Sequence, residues 1–526
     1  MAREGFGIVL GRLISSVSIV AVLFVAGSVT ASARANPAAG PKVGGTYSIQ
    51  VPAPPDCLDP QKTAAAASST VFSYVVDPLL SLDNKGHFVG LLATSYKASH
   101  GGTVLTFHLR HGVKFSNGHP FTAAAVKYTF DRAVNPATKS PATGAQLADI
   151  KVTKVINKYT VQLDLKTPNR VIISNLADSS TGILDPKATQ AEGSNSCFNP
   201  IGTGIYKVQS TGTAFSDVTL VTNKYHNYGP SWVHNHGNPY VPKIQVITIA
   251  NEDTAISDLL TGAVSIAGVP GNELPRVKGN KSIVLHKLPS QNLIWASFNF
   301  QHKPFNNVNV RRAVAEVIDR KGIVKAALGG LGVPVANPLT PAYPFFDKLA
   351  AKDLPAFNIK AAAKVFKKYH VKGPYTLLAC TCAPFATISE IVQADLKAAG
   401  VQVDIEGVGG VGDFLGDAFA GKYDIDLLNY SYPDPDVLSF LLKTGAVLNW
   451  LHYSNPTLDK LFGQEETTLN AKKDSAIFAK IQIMINKQAP FVGIATQTPL
   501  LGILSMIKGF HVNSDGSYAG QDLYIK

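Results

Sequence analysis

LTFHLRHGVKFSNGHPFTAAAVKYTFDR, residues 105–132, reads as a strand, a glycine-turned loop and a helix. Leu105, Phe107 and Leu109 alternate with Thr106, His108 and Arg110, the period of a strand with one buried face. Asn117-Gly118 supplies a tight turn, because both residue types tolerate positive φ. Thr122 stands where a hydroxyl caps a helix over residues 123–131.

The same grammar extends in both directions. Gly44-Gly45-Thr46-Tyr47-Ser48-Ile49 opens a first strand, Leu58-Asp59-Pro60 turns, and residues 70–80 suit a helix ending at Pro78. Residues 159–165 alternate as a strand. Gly202-Thr203-Gly204 lacks both the helix-opening G-x-G-x-x-G context and the Lys-Ser/Thr of a phosphate loop, so it reads as a tight turn between strands. Residues 243–249 make a strand, 252–260 a short helix closed by Gly262, and 264–266 a returning strand. In the helix predicted over 308–320, Val310, Val314, Val317 and Ile318 share a face while Arg311, Glu316 and Arg320 point elsewhere. A helix over 359–369 then leads into a strand-helix-strand run at 375–380, 386–400 and 401–407. Such alternation argues for α/β architecture.

The 526 residues predict about three domains at roughly 150 residues each. A hydrophobic share of 45% with 16% charged residues is that of a globular protein. Arg3 and Arg12 precede and enter an apolar run from residue 13 to 26, and Ala31-Ser32-Ala33 and Ala33-Arg34-Ala35 offer small residues at cleavage spacing. That run is shorter than the ~20 residues of a spanning helix, so residues 1–35 are expected to be a cleaved signal. Arg3, Arg12 and Arg34 against Glu4 take +2 from the formal charge of +12, leaving about +10 on the mature chain. No run of five or six basic residues and no aromatic-basic platform appears, which argues against nucleic acid. Four cysteines in an exported chain, Cys57, Cys197, Cys380 and Cys382, are expected to be bonded, in one of three pairings. No G-x-S-x-G elbow, H-E-x-x-H, C-x-x-C or P-loop is present, and no enzyme activity is expected. His234-Asn235-His236, with His226 nearby, is the best metal candidate, but its Asn-, Gly- and Pro-rich setting reads as a solvated loop, so no metal site is assigned.

The wording of several segments is similar to the family 5 solute-binding proteins of ABC importers, the extracytoplasmic peptide- and nickel-binding group. Residues 109–126 match its "LR-x-G-V-K-F-x-x-G-x-P-[FL]-T-A-x-D-V" at almost every position, departing at Ala125, where an acidic residue is usual. Leu58-Asp59-Pro60 resembles its "LDP" turn, residues 200–206 its "P-x-GTGPY" with Ile205 for proline, and residues 310–320 its "VRxAixxAiDR" helix. Ser265 replaces the acidic residue of a further unit. The resemblance runs in order from about residue 43 to the C-terminus.

It implies an α/β fold, a two-lobed periplasmic-binding-protein-like clamshell with an extra domain inserted in the first lobe. On that pattern the first lobe takes 36–84, 200–287 and 497–526, the insert 85–199 and the second lobe 288–496. It also favours Cys57–Cys197, placed together in one lobe, and leaves Cys380-Thr-Cys382 as the odd pair. The lipid-attachment cysteine that many relatives carry is missing, since no cysteine precedes Cys57. Relatives line their cleft with segments matching Trp295, Phe298 and Asn299, then Tyr430, Ser431, Tyr432 and Asp434, then Asn449 and Trp450. Ser431 stands where peptide binders keep the aspartate that pairs with the ligand's amino terminus; a shift of register would hand that role to Asp434 or Asp426. The implied function is capture of an oligopeptide or similar solute by lobe closure, with delivery to an ABC permease served by separate ATPase subunits. The implied protein is a monomer without cofactor, exported to the periplasm or the outer face of the membrane. Alternatives are a non-peptide ligand (opine, glycan or chelated nickel) and a secreted peptidase or glycosidase.

Overall fold

The computed structural model describes residues 41–83, 86–353, 356–430, 432, 434–446, 448–513 and 520–526. The expected signal, residues 1–35, and Ser431 lie outside the described residues. None of the described helices is long and apolar enough to cross a membrane.

Three sheets carry the fold. The first has seven strands in the order Ile283–Lys287, Leu500–Leu504, Ile266–Gly268, Thr46–Val51, Lys243–Thr248, Asp217–Thr222 and Tyr206–Thr211. Thr46–Val51 runs parallel to both its neighbours, whereas Leu500–Leu504 is antiparallel to the two strands it separates. The second has six: Gly332–Pro334, Phe491–Gln497, Leu293–Phe298, Ile425–Tyr430, Tyr375–Cys380 and Val403–Val408. The third is an antiparallel four-stranded sheet of Ala93–Ser99, Val104–Leu109, Thr160–Leu165 and Ile150–Asn157.

In Val104–Leu109 the predicted alternation is realised: Leu105, Phe107 and Leu109 are buried while His108 faces water. Gly118, at φ +92°, closes the turn alone, and Asn117 donates instead to Asp185 (2.6 Å). The helix Ala123–Val134 follows Thr122, whose side chain makes no capping bond, contrary to the sequence reading. Ala125 is buried on this helix's inner face, a position hostile to the acidic residue of the family pattern. Arg132 reaches back to Asp59 of the Leu58-Asp59-Pro60 turn (2.6 Å), which also accepts from Ser196 (2.8 Å).

Three more expectations are corrected. The helix predicted over 70–80 lies earlier, at Ala66–Phe72, because the carbonyls of Tyr74 and Val75 leave the helix to accept from Tyr206 and Gly204. Gly202 and Gly204 are there for that approach: a Cβ on either would strike these carbonyls. The segment 308–320 is two helices, Val308–Val317 and Arg320–Ala326, since Ile318 turns to extended backbone and Asp319 caps the second through the Gly322 amide (3.0 Å). Arg311 points inward, donating to Phe305 and to Gln488 and Ala489 at the end of the helix Ala471–Gln488. A guanidinium with several donors can be buried where carbonyls at a helix end need partners. Burial holds its pKa down at about 10.

Candidate functional site

A cavity of about 390 Å³ opens among residues 69–91, 177–179, 205–232 and 513–521. Its wall includes Tyr74, Asp77, Asp178, His226, Trp232 and Gln521. Most of these polar groups are already engaged by the fold. Asp77 accepts from Thr203 (2.9 Å) and from the Tyr228 hydroxyl (2.5 Å), and the Trp232 indole donates to Ser81 (3.3 Å). His226 is buried between the Thr203 carbonyl (3.1 Å) and the Gln521 amide (2.8 Å), with both ring nitrogens occupied. Asp178 differs: half-exposed, it accepts from the Ser180 amide (2.8 Å) and pairs with no cation among the described residues. It therefore offers the cavity a carboxylate and Trp232 an aromatic face.

Tyr432 lies in the loop after Ile425–Tyr430. Burial first, then Asp434, Asp436 and Asp178, push its phenol up to about 12. Loops at the carboxyl ends of parallel strands are where α/β sheets bind ligands, and Tyr375–Cys380, Val403–Val408 and Ile425–Tyr430 run parallel here.

Behind Tyr432 lies a charged knot. Arg170, 5% exposed, grips Asp434 with both Nη atoms and lies 3.0 Å from Glu465 and 3.1 Å from Asp474. Its guanidinium also rests over the rings of Phe345 and Phe478. Burial raises Asp474 to about 7 against the pull of Arg170. Burial raises both Asp436 and Glu465; Glu465 adds to the rise of Asp436, whereas Arg170 and the hydrogen bond with Asp436 pull Glu465 back down. Arg170 thus ties the chain that follows the four-stranded sheet to Asp434 and to the helices Pro456–Glu466 and Ala471–Gln488, and its own backbone amide adds a bond to the Glu466 carbonyl (2.9 Å).

The residues singled out from the sequence are brought together on the six-stranded sheet, largely below its surface. Successive side chains of Leu293–Phe298 face opposite cores, as a strand covered on both faces requires. Trp295, fully buried, packs against Tyr430, Trp450 and Phe491, while Phe298 stacks on Phe305 on the other side. Asn299 donates to the Tyr423 carbonyl (3.1 Å) and Asn449 to those of Lys443 (3.1 Å) and Tyr453 (2.7 Å). Trp450 donates to Asp426 (2.8 Å), which also accepts from Ser297 (2.6 Å) and is raised by burial to about 6. Tyr430 and Tyr432 remain half-exposed, with the Tyr430 hydroxyl on the Pro338 carbonyl. Both carboxylates that a shifted register would offer to a ligand amine, Asp426 and Asp434, are engaged by protein partners.

Arg170, Asp178 and Trp232 were not picked out from the sequence. Asp178 lies in an unremarkable Leu-Ala-Asp-Ser-Ser run, and its distinction is spatial. The sulfurs of Cys57 and Cys197 lie at bonding distance, as do those of Cys380 and Cys382.

The model of the middle part of family 5 of the bacterial extracellular solute-binding proteins matches residues 87–449. Among curated proteins, the glutathione-binding protein GsiB of Escherichia coli strain K12 is 27% identical over 489 residues, covering 88% of this chain and 91% of that one. GsiB of Pectobacterium atrosepticum is 26% identical over 524 residues, 95% of this chain and 97% of its own. Among solved structures, the unliganded open form of MppA, a periplasmic murein tripeptide binding protein, superposes with a TM-score of 0.80 at 21% identity, covering 92% of this chain and 99% of that one. DppA of Helicobacter pylori in complex with the peptide STSA gives 0.69 at 23% identity, covering 92% and 98%. These similarities establish the two-lobed, periplasmic-binding-protein-like α/β fold.

Proposed function

Because the chain belongs to family 5 of the bacterial extracellular solute-binding proteins, we propose that it captures an oligopeptide or a chemically similar solute outside the cytoplasm and delivers it to the permease of an ABC importer. The observation that carries this reading is the cavity whose wall includes the carboxylate of Asp178, without a cation partner among the described residues, and the indole of Trp232. A carboxylate and an indole suit a ligand with an ammonium group and an apolar or planar body.

The first lobe takes 36–84, 200–287 and 497–526, the insert 85–199 and the second lobe 288–496, with 1–35 removed as a signal. The strand membership of the three sheets supports that division. Solute docks on the Asp178 wall, and the second lobe closes on it with Tyr430 and Tyr432, Ser431 serving as a ligand residue of that lobe. Trp295, Phe298, Asn299, Asp434, Asn449 and Trp450 hold that surface in shape from behind. Ligand bridging both lobes favours the closed state that the permease recognises. The protein acts as a monomer, makes and breaks no bond and needs no cofactor; hydrolysis of ATP belongs to other subunits.

The test is a thermal-shift panel of peptides of two to eight residues, glutathione, opines and nickel with histidine. A ligand at 100 times its Kd adds about 2.7 kcal/mol to the folded state, a readable shift. Asp178→Asn keeps the bond from Ser180 and removes the charge. Its affinity for free-amine peptides is expected to fall about tenfold or more by calorimetry, on the scale of a charged hydrogen bond, with N-acetylated peptides unaffected. Peptides that shift nothing sink the peptide reading; peptides that bind the variant equally well sink only the role of Asp178.

A further inference from the structure

On the first lobe, the loop carrying His234 meets the C-terminal segment carrying His511 and Asp522. The Asp522 carboxylate is nearly buried, and two backbone amides fix it: His234 N donates to Oδ2 (3.1 Å) and Asn235 N to Oδ1 (2.8 Å). The Asn235 side chain adds a bond to the Gln521 carbonyl (2.9 Å). A carboxylate has about four acceptor positions, so each oxygen keeps one for a further partner. His234 Nδ1 stands 3.3 Å from Oδ2, and the exposed His511 ring lies with its centroid 5.5 Å from that of His234. One ligand atom from each of the three residues falls within 4.8 Å of the others.

We propose that His234, His511 and Asp522 form a zinc site, with water as fourth ligand. Two imidazoles and a carboxylate are a donor set that zinc takes in tetrahedral geometry. At bonds of about 2.0 Å, the edge of such a tetrahedron is about 3.3 Å, the separation found between His234 Nδ1 and Asp522 Oδ2. A direct charge-assisted hydrogen bond would draw the two atoms to about 2.7–2.9 Å. The exposed His511 ring is free of core packing and can turn to close the remaining distance. His226 is excluded from the set by its two buried partners. Bound metal would clip the C-terminal segment to the His234 loop beside the cavity, independently of which solute the cavity takes.

The experiment is titration of the chelator-treated protein with zinc chloride by calorimetry, repeated with cobalt to read the visible bands of a tetrahedral site. The parent is expected to bind one equivalent, with a raised thermal midpoint. His234→Ala and His511→Ala, both changes of exposed side chains, should each weaken that binding at least tenfold and remove the cobalt bands. His236→Ala, on the same loop but outside the trio, should bind as the parent does. Absence of a saturable equivalent overturns the proposal. So does a His511→Ala variant that binds like the parent, or a His236→Ala variant that loses as much.

Discussion

At Arg170 one guanidinium, 5% exposed, serves Asp434, Glu465 and Asp474 together. Removing the cation from buried carboxylates costs far more than the pair itself contributes, because the charges left behind have neither water nor partner. Arg170→Ala should therefore destabilise by about 3–5 kcal/mol in urea unfolding, part of it recovered by protonation at low pH. Arg170→Lys should recover little, since a point charge cannot reproduce the two-pronged contact with Asp434. A loss below 1 kcal/mol would mean that water reaches the knot. None of this is legible in the sequence: Arg170 and Asp434 stand 264 residues apart, and nothing local marks either as a partner. Arg311 teaches the same lesson from a helix, where its charge reads as a solvent face although its donors are spent on carbonyls.

Elements were legible where their causes are local. Leu105, Phe107 and Leu109 give the strand's buried face, and Gly262 ends the helix Glu252–Thr261 at a φ of +81°. They were misread where a distant backbone intervenes, as when the Gly202-Thr203-Gly204 turn takes the carbonyls of Tyr74 and Val75 and ends the earlier helix. Gly202→Ala should accordingly destabilise by about 1–3 kcal/mol, the cost of forcing atoms into a packed contact. Gly463, inside the helix Pro456–Glu466 with open space at its Cβ, is the counterpart: Gly463→Ala should stabilise by about 0.5–1 kcal/mol. Chemical denaturation of the two variants side by side measures both signs, and a Gly202→Ala protein as stable as the parent would refute the contact.

For the molecule as a whole, the buried carboxyl groups set the pH dependence of stability. Asp426, raised to about 6, Asp474, raised to about 7, and the Asp436–Glu465 pair all bind protons more tightly folded than unfolded. Their contribution is full below the ordinary carboxylate value of about 4 and is lost as pH rises through 6 to 7 and above. The calorimetric midpoint should fall between pH 5 and pH 8, and Asp426→Asn, which cannot ionise, should flatten part of that slope. A midpoint that climbs over the interval would show these groups ionised in the native state. The seven-stranded sheet adds a consequence in time. Leu500–Leu504 lies second from its edge, between strands that end at Lys287 and Gly268, so synthesis runs on for roughly 200 residues before the gap can be filled. At 5–20 residues per second that is on the order of 10–40 seconds. Through that interval the nascent sheet holds an unpaired slot, open to chaperones and proteases, and a chain that stops short of its last strand never closes it.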